Sequence, residues 1–96
     1  MGEINGRVID TNTHLPLVGA NIQIVDYGIG SATDSDGFFS IANIPIGTTH
    51  IEITMIGYEK YVLLNLPITA VRPLNLKIEL NVVPVLFDMI DQYVPV

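Results

Sequence analysis

Apolar and polar residues alternate with a period of two from the first residues of this chain to about Leu80, and that period belongs to β-strands. From Glu3 to Asp10, Ile4 and Val8 share one face, with Gly6 between them, while Glu3, Asn5 and Arg7 share the other. From Ala20 to Val25 the inward set is Ala20, Ile22 and Ile24; from Thr49 to Met55 it is Ile51, Ile53 and Met55. Leu74 to Leu80 repeats the pattern, with Leu74, Leu76, Ile78 and Leu80 opposite Asn75, Lys77 and Glu79. Shorter strands are predicted at about Gly30 to Thr33 and Phe38 to Ile41, and a further one from Tyr58 to Leu64. Seven short strands with turn residues between them predict an all-β fold, a seven-stranded antiparallel two-sheet sandwich with one face of each sheet open to water.

The turns are written as clearly as the strands. In Thr33-Asp34-Ser35-Asp36-Gly37-Phe38-Phe39, Asp34 can open a type I turn by accepting nearby backbone N–H groups, and Gly37 can take the left-handed φ of a three-residue hairpin. Pro45 presets φ for a second sharp turn with Gly47 at its fourth position. The loops Thr11 to Gly19 and Pro67 to Pro73 carry prolines that break strands and leave room for crossovers between sheets. After Leu80 the alternation stops: Val82 to Phe87 are apolar, Asp88 to Gln92 can make about one helical turn, and Tyr93-Val94-Pro95-Val96 is extended. The expected organisation is therefore a sandwich over residues 1–81 and a C-terminal linker or docking tail over 82–96.

Ninety-six residues make one domain, long enough to bury somewhat more than ~60% of the unfolded surface without covalent staples. The absence of cysteine removes disulfides, thiolate metal sites and cysteine nucleophiles. A formal net charge of −6 repels nucleic-acid phosphates and anionic lipid headgroups, so neither is expected as a partner. Mean hydropathy is high at +0.47, yet the apolar runs fall far short of the ~20 residues a spanning helix needs. Met1-Gly2 leads directly into a strand with no basic segment or apolar h-region, so no signal peptide is expected in this sequence. That leaves either a cytoplasmic protein or an exported one whose signal is absent from it.

Catalytic and metal chemistry find few parts. His14 and His50 stand apart, and no His-Glu-x-x-His, Gly-x-Ser-x-Gly or paired metal-ligand spacing occurs. Asp34 and Asp36 before Gly37 resemble a calcium loop, but in that register the first and twelfth positions fall on Ala32 and Asn43, which supply no carboxylate. As a glycosidase pair, the same two aspartates would both be solvated on a turn tip. Tyr27, Tyr58, Tyr61 and Tyr93 could stack on sugars, though the chain has no tryptophan. No cofactor, metal or catalytic residue is expected.

The order of these residues resembles the carboxypeptidase regulatory-like domain, a transthyretin-like or prealbumin-like sandwich. The resemblance covers about Gly6 to Leu80 and runs through Gly6-Arg7-Val8-Ile9-Asp10, Pro16-Leu17-Val18-Gly19-Ala20-Asn21-Ile22, Thr33 to Ile41, Ile44-Pro45-Ile46-Gly47 and Ile56-Gly57-Tyr58. It implies structural roles for Asp34, Asp36, Gly37, Phe39, Pro45, Gly47, Gly57 and Tyr58. It also implies a non-catalytic accessory module of an exported bacterial protein, above all the N-terminal extension of a TonB-dependent outer-membrane receptor, on the periplasmic face of the outer membrane or at the cell surface. Its partner would then be a protein, held through a sheet edge or the tail, with self-association left open and an outer-membrane barrel elsewhere in the parent protein. In that architecture Tyr93-Val94-Pro95-Val96 lies about where the segment read by the energy-coupling protein begins. The isopeptide-forming pilin modules, which share a similar sandwich, need a lysine on an early strand, where this chain has Arg7. The alternative from another class is a carbohydrate-binding module using exposed tyrosines. Folding support for a neighbouring peptidase predicts the same fold.

Overall fold

The computed structural model describes residues 1–83. Seven strands follow one another: β1 Gly2–Asp10, β2 Asn21–Ile24, β3 Ile29–Ala32, β4 Phe38–Ile44, β5 Gly47–Thr54, β6 Tyr61–Ile68 and β7 Leu74–Leu80. They form a three-stranded sheet in the order β4-β1-β7 and a four-stranded sheet in the order β3-β2-β5-β6. The inward faces meet in a core of branched aliphatics, in which Ile4, Val8, Ile22, Ile24, Ile44, Ile51, Ile53 and Ile78 are wholly buried. β-branched side chains suit this surface because their restricted rotamers cost little on a pleated sheet. No helix occurs among the described residues.

The predicted alternation places the inward residues correctly in β1, β2, β5 and β7. Three features differ from the sequence reading. First, the sandwich is not wholly antiparallel: β1 and β7 run parallel, with Val8 beside Ile78 and Arg7 beside Lys77. Tight hairpins force neighbouring strands to oppose each other, but β7 enters by a crossover from β6 in the other sheet and escapes that constraint.

Second, the turn at Asp34 to Gly37 does not join a hairpin. β3 and β4 belong to different sheets, so the turn is a corner between them, closed at its base by the Asp34 N–H donating to Phe38 O at 2.9 Å. The Pro45–Gly47 turn also switches sheets, carrying the chain from β4 to β5.

Third, β4 and β6 outrun their predicted ends at Ile41 and Leu64. Each contains an asparagine with left-handed backbone, Asn43 at φ 60° and Asn65 at φ 60°. At each, the pairing skips a residue, against β1 between Gly2 and Ile4 and against β5 between Thr49 and Ile51. Such a bulge shifts the alternation by one residue, so Ile44 and Ile68 return to the core where simple parity would expose them. Pro67 also lies inside β6, tolerated because β6 is an edge strand. At its other end β6 begins at Tyr61, so Tyr58 stands before the strand, in a bridge to Val82. Of the expected tail, only Val82 and Val83 fall within the described residues; the readings made for residues 84–96 lie outside them.

Candidate functional site

The C-terminal end of β1 gathers the conspicuous loops. Val8 N–H donates to Gly37 O at 2.8 Å, and Leu17 N–H donates to Val8 O at 3.0 Å. One residue pair further, Asp10 N–H donates to Leu15 O at 2.9 Å and Thr11 N–H to Leu80 O at 3.0 Å. Thr33, buried, ties in the start of the same corner: its hydroxyl donates to Leu17 O and accepts from Ala20 N–H.

Within the corner, Asp34 Oδ1 accepts the N–H groups of Asp36 and Phe38, both at 2.9 Å. Gly37 has φ +81°, and a Cβ there would lie 2.6 Å from Val8 O and 3.0 Å from Pro16 Cβ. The site thus demands glycine twice, for its backbone conformation and for its closeness to β1. Asp36 contributes its carbonyl, which accepts Arg7 Nε–H at 2.9 Å, and the Arg7 guanidinium lies 4.9 Å from the centroid of the Phe38 ring. Phe39 is buried beneath Gly6, where a Cβ would meet its ring at 2.6 Å. Pro45 and Gly47 fall elsewhere, at the opposite end of β1, where Gly2 pairs with Ile44. Gly57, at φ +88°, completes the turn closed by Tyr58 N–H donating to Met55 O at 3.0 Å.

Tyr58 leads to the residue that sequence reasoning passed over. Its hydroxyl donates to Asp10 Oδ2 at 2.6 Å, while Asp10 Oδ1 accepts the N–H groups of Asn12 at 2.7 Å and Thr13 at 3.0 Å. Asp10 is only 6% exposed. The Tyr58 hydroxyl, followed by the Thr13 and Asn12 amides, holds the Asp10 carboxyl below its ordinary range, with burial opposing. The same bond to Asp10 is the chief cause that raises the Tyr58 phenol, with burial and the carboxylate charge adding to it. Both shifts lead away from neutrality, which suits a permanent clamp and not a proton-transfer pair. The available signal was Asp10-Thr11-Asn12-Thr13, an aspartate at a strand end followed by polar turn residues.

The clamp fixes the neighbouring segment too. Glu59 N–H donates to Asn81 O at 2.8 Å and Val83 N–H to Gly57 O at 3.0 Å, pinning the chain after β7 against the turn at Gly57. Around this end four apolar side chains face solvent: Ile56 is 98% exposed, Leu15 62%, Val18 56% and Val82 43%. Tyr58 and Tyr61 are partly buried against the core. Among the described residues no group of three or more His, Asp or Glu side chains is placed to hold a metal ion.

The family model for the CarboxypepD_reg-like domain matches residues 4–85. No curated protein matches the sequence. Among solved structures, a chain from a C-terminal interface mutant of the type II Cohesin-X-Dockerin complex of Acetivibrio cellulolyticus is similar at 25% identity and TM-score 0.68, over 81% of this chain and 53% of that one. An N-terminal interface mutant of the same complex matches at 26% identity and TM-score 0.68, over 83% of this chain and 57% of that one. The present chain therefore spans little more than half the length of these structures. The major pilin subunit BcpA of Bacillus cereus, at 21% identity and TM-score 0.58 over 84% of this chain and 30% of its own, shares the fold.

Proposed function

The chain belongs to the CarboxypepD_reg-like domain family, and from that premise we propose that it is a non-catalytic accessory domain that makes protein contacts and sets spacing within a larger exported bacterial protein. The observation that carries this reading is the display of Ile56, almost fully exposed, on a turn held rigidly by Gly57 and the Tyr58–Asp10 clamp. Exposed isoleucine on a well-fixed turn, with Leu15, Val18 and Val82 also exposed on the loops of this end, offers apolar surface of the kind that protein partners cover. Similarity to chains crystallised in a cohesin complex supports contact with protein. The parent most consistent with the sequence motifs is a TonB-dependent outer-membrane receptor, with this domain as its N-terminal extension on the periplasmic side. Sugar binding is the weaker reading, because Tyr58 and Tyr61 are partly buried against the core and the chain has no tryptophan, so the exposed Tyr27 lacks a neighbouring indole to stack with.

A photo-crosslinking residue at position 56, introduced in cells, tests this reading, with position 71 on the exposed loop at the other end as control. The expected result is a discrete protein adduct from position 56 alone, recovered with the outer membrane. No adduct, an adduct only in the cytoplasm, or saturable heat on titrating the domain with glycans would overturn it.

A further inference from the structure

The segment Asn75-Leu76-Lys77-Ile78-Glu79-Leu80-Asn81 reads alike in both directions, except that lysine and glutamate exchange places about Ile78. All of it but Asn81 lies in β7, which is an edge of the β4-β1-β7 sheet. The backbone shows which groups that edge offers. Leu80 O accepts Thr11 N–H on the β1 side, so by alternation Ile78 and Leu76 also turn their backbone groups inward to β1. The N–H and C=O groups of Asn75, Lys77 and Glu79 therefore point away from the sheet, and none of them has a backbone partner outside it among the described residues. Asn81 follows the same alternation, but its outward carbonyl is already occupied by Glu59 N–H.

We propose that β7 pairs with β7 of a second copy, antiparallel and centred on Ile78, joining two three-stranded sheets into one of six strands. This deepens the protein-contact reading by naming one partner, the chain itself, and rests on that reading. About a two-fold axis through Ile78, Lys77 of each copy stands opposite Glu79 of the other, at the positions where outward backbone groups exchange hydrogen bonds. Each Lys–Glu pair is then a directly opposed cross-strand pair of opposite charge.

Charge supplies the argument for this occupant and this register. Lys77 lies beside Arg7 on the outer face, and Arg7 is already committed to Asp36 O and the Phe38 ring. Neither Lys77 nor Glu79 belongs to an ion pair among the described residues. A lysine on an edge strand ordinarily discourages pairing, since any arbitrary neighbour leaves it without a counter-charge. The glutamate two residues on reverses that effect for a single partner. Shifting the axis to Lys77 opposes two lysines, and parallel pairing in register does the same, so both alternatives are disfavoured. The Glu59–Asn81 bond closes one end of the edge and confines the pairing to Leu76 through Leu80.

The pairing is short, so association should be concentration-dependent and should weaken as salt rises. Sedimentation of the full chain, with and without charge reversal, tests it. Lys77→Glu and Glu79→Lys should each sediment as monomers at concentrations where the parent chain dimerises, because each variant opposes like charges twice. Mixed in equal amounts, the two variants should form a heterodimer, because the mixture restores both opposed pairs. Thermal unfolding of each variant shows that the fold is intact. A parent chain that stays monomeric to millimolar concentration, a dimer indifferent to both substitutions, or a folded mixture that fails to associate would overturn the proposal. None of these results touches the crosslink expected from position 56, which stands or falls with the protein-contact reading alone.

Discussion

Asp10 and Asp34 each gather two backbone N–H groups on a single oxygen, Asp10 at 2.7 and 3.0 Å and Asp34 at 2.9 and 2.9 Å, yet they hold very different amounts of structure. Asp34 is exposed, and its carboxylate bonds stay within four residues of chain. Asp10 is buried, and its second oxygen takes the hydroxyl of Tyr58, 48 residues away. The Asp34 carboxylate shapes a corner; the Asp10 carboxylate fastens separate segments, the loop after β1 and the turn at Gly57 with the chain after β7 behind it. Both aspartates cap nearby amides within four residues, so what separates them is chiefly burial and the reach of the second oxygen.

The corner at Asp34 has its own rigid point, and there the largest effect is expected. Gly37→Ala places a Cβ against the Val8 carbonyl at 2.6 Å and holds alanine at φ +81°. A loss of about 2 kcal/mol should follow, read as a lower midpoint in chemical denaturation. An unchanged midpoint would show that the corner relaxes freely, and the contrast with Asp10 would then lose its geometric basis.

Tyr58→Phe removes the long-range half of the Asp10 arrangement and leaves its turn bonds in place, so a smaller loss at neutral pH is expected. The pH dependence sharpens the test. The folded-state value of Asp10 lies below the ordinary 3.8, so its stabilisation is present above 3.8 and is lost as pH falls through the folded-state value. For Tyr58 the folded-state value lies above the ordinary 10.0, so its contribution is present below 10.0 and is lost as pH rises through the folded-state value. Thermal midpoints measured across acid and alkaline pH should fall less steeply at both ends in Tyr58→Phe than in the parent chain. Equal slopes would mean that the hydroxyl contributes nothing to the clamp.

Asp34→Ala gives the smallest effect, about 1 kcal/mol, because water can reach the two amides it abandons. Its loss should be the same at pH 7 and pH 9, since no partner of Asp34 titrates there. A loss larger than that of Tyr58→Phe would invert the ranking of the two aspartates.

Much of this was legible in the residues. Alternation located β1, β2, β5 and β7 with their inward faces, and Asp34 and Gly37 announced their turn. The bulges were hidden because Asn43 and Asn65 break parity at single positions, and a strand that resumes on the opposite parity reads as a strand that has stopped. The parallel β1–β7 pair was hidden because side-chain period is indifferent to strand direction. Asp10 was overlooked for a related reason: its turn is local, but its burial depends on Tyr58, which arrives from far along the chain. Gly57 and Tyr58 stand in a motif visible in the sequence, but nothing there marks Asp10 as the group that the Tyr58 hydroxyl reaches.

Backbone hydrogen exchange, followed residue by residue in the parent chain and in Tyr58→Phe, tests the central claim most directly, that the Asp10–Tyr58 bond fastens distant segments into one rigid end. Loss of the hydroxyl should accelerate exchange together at Asn12, Thr13, Glu59 and Val83, and leave Asp36 and Phe38 unchanged. Acceleration confined to Glu59 and Val83, with Asn12 and Thr13 as protected as before, would contradict it, because the two aspartate turns would then be equally local.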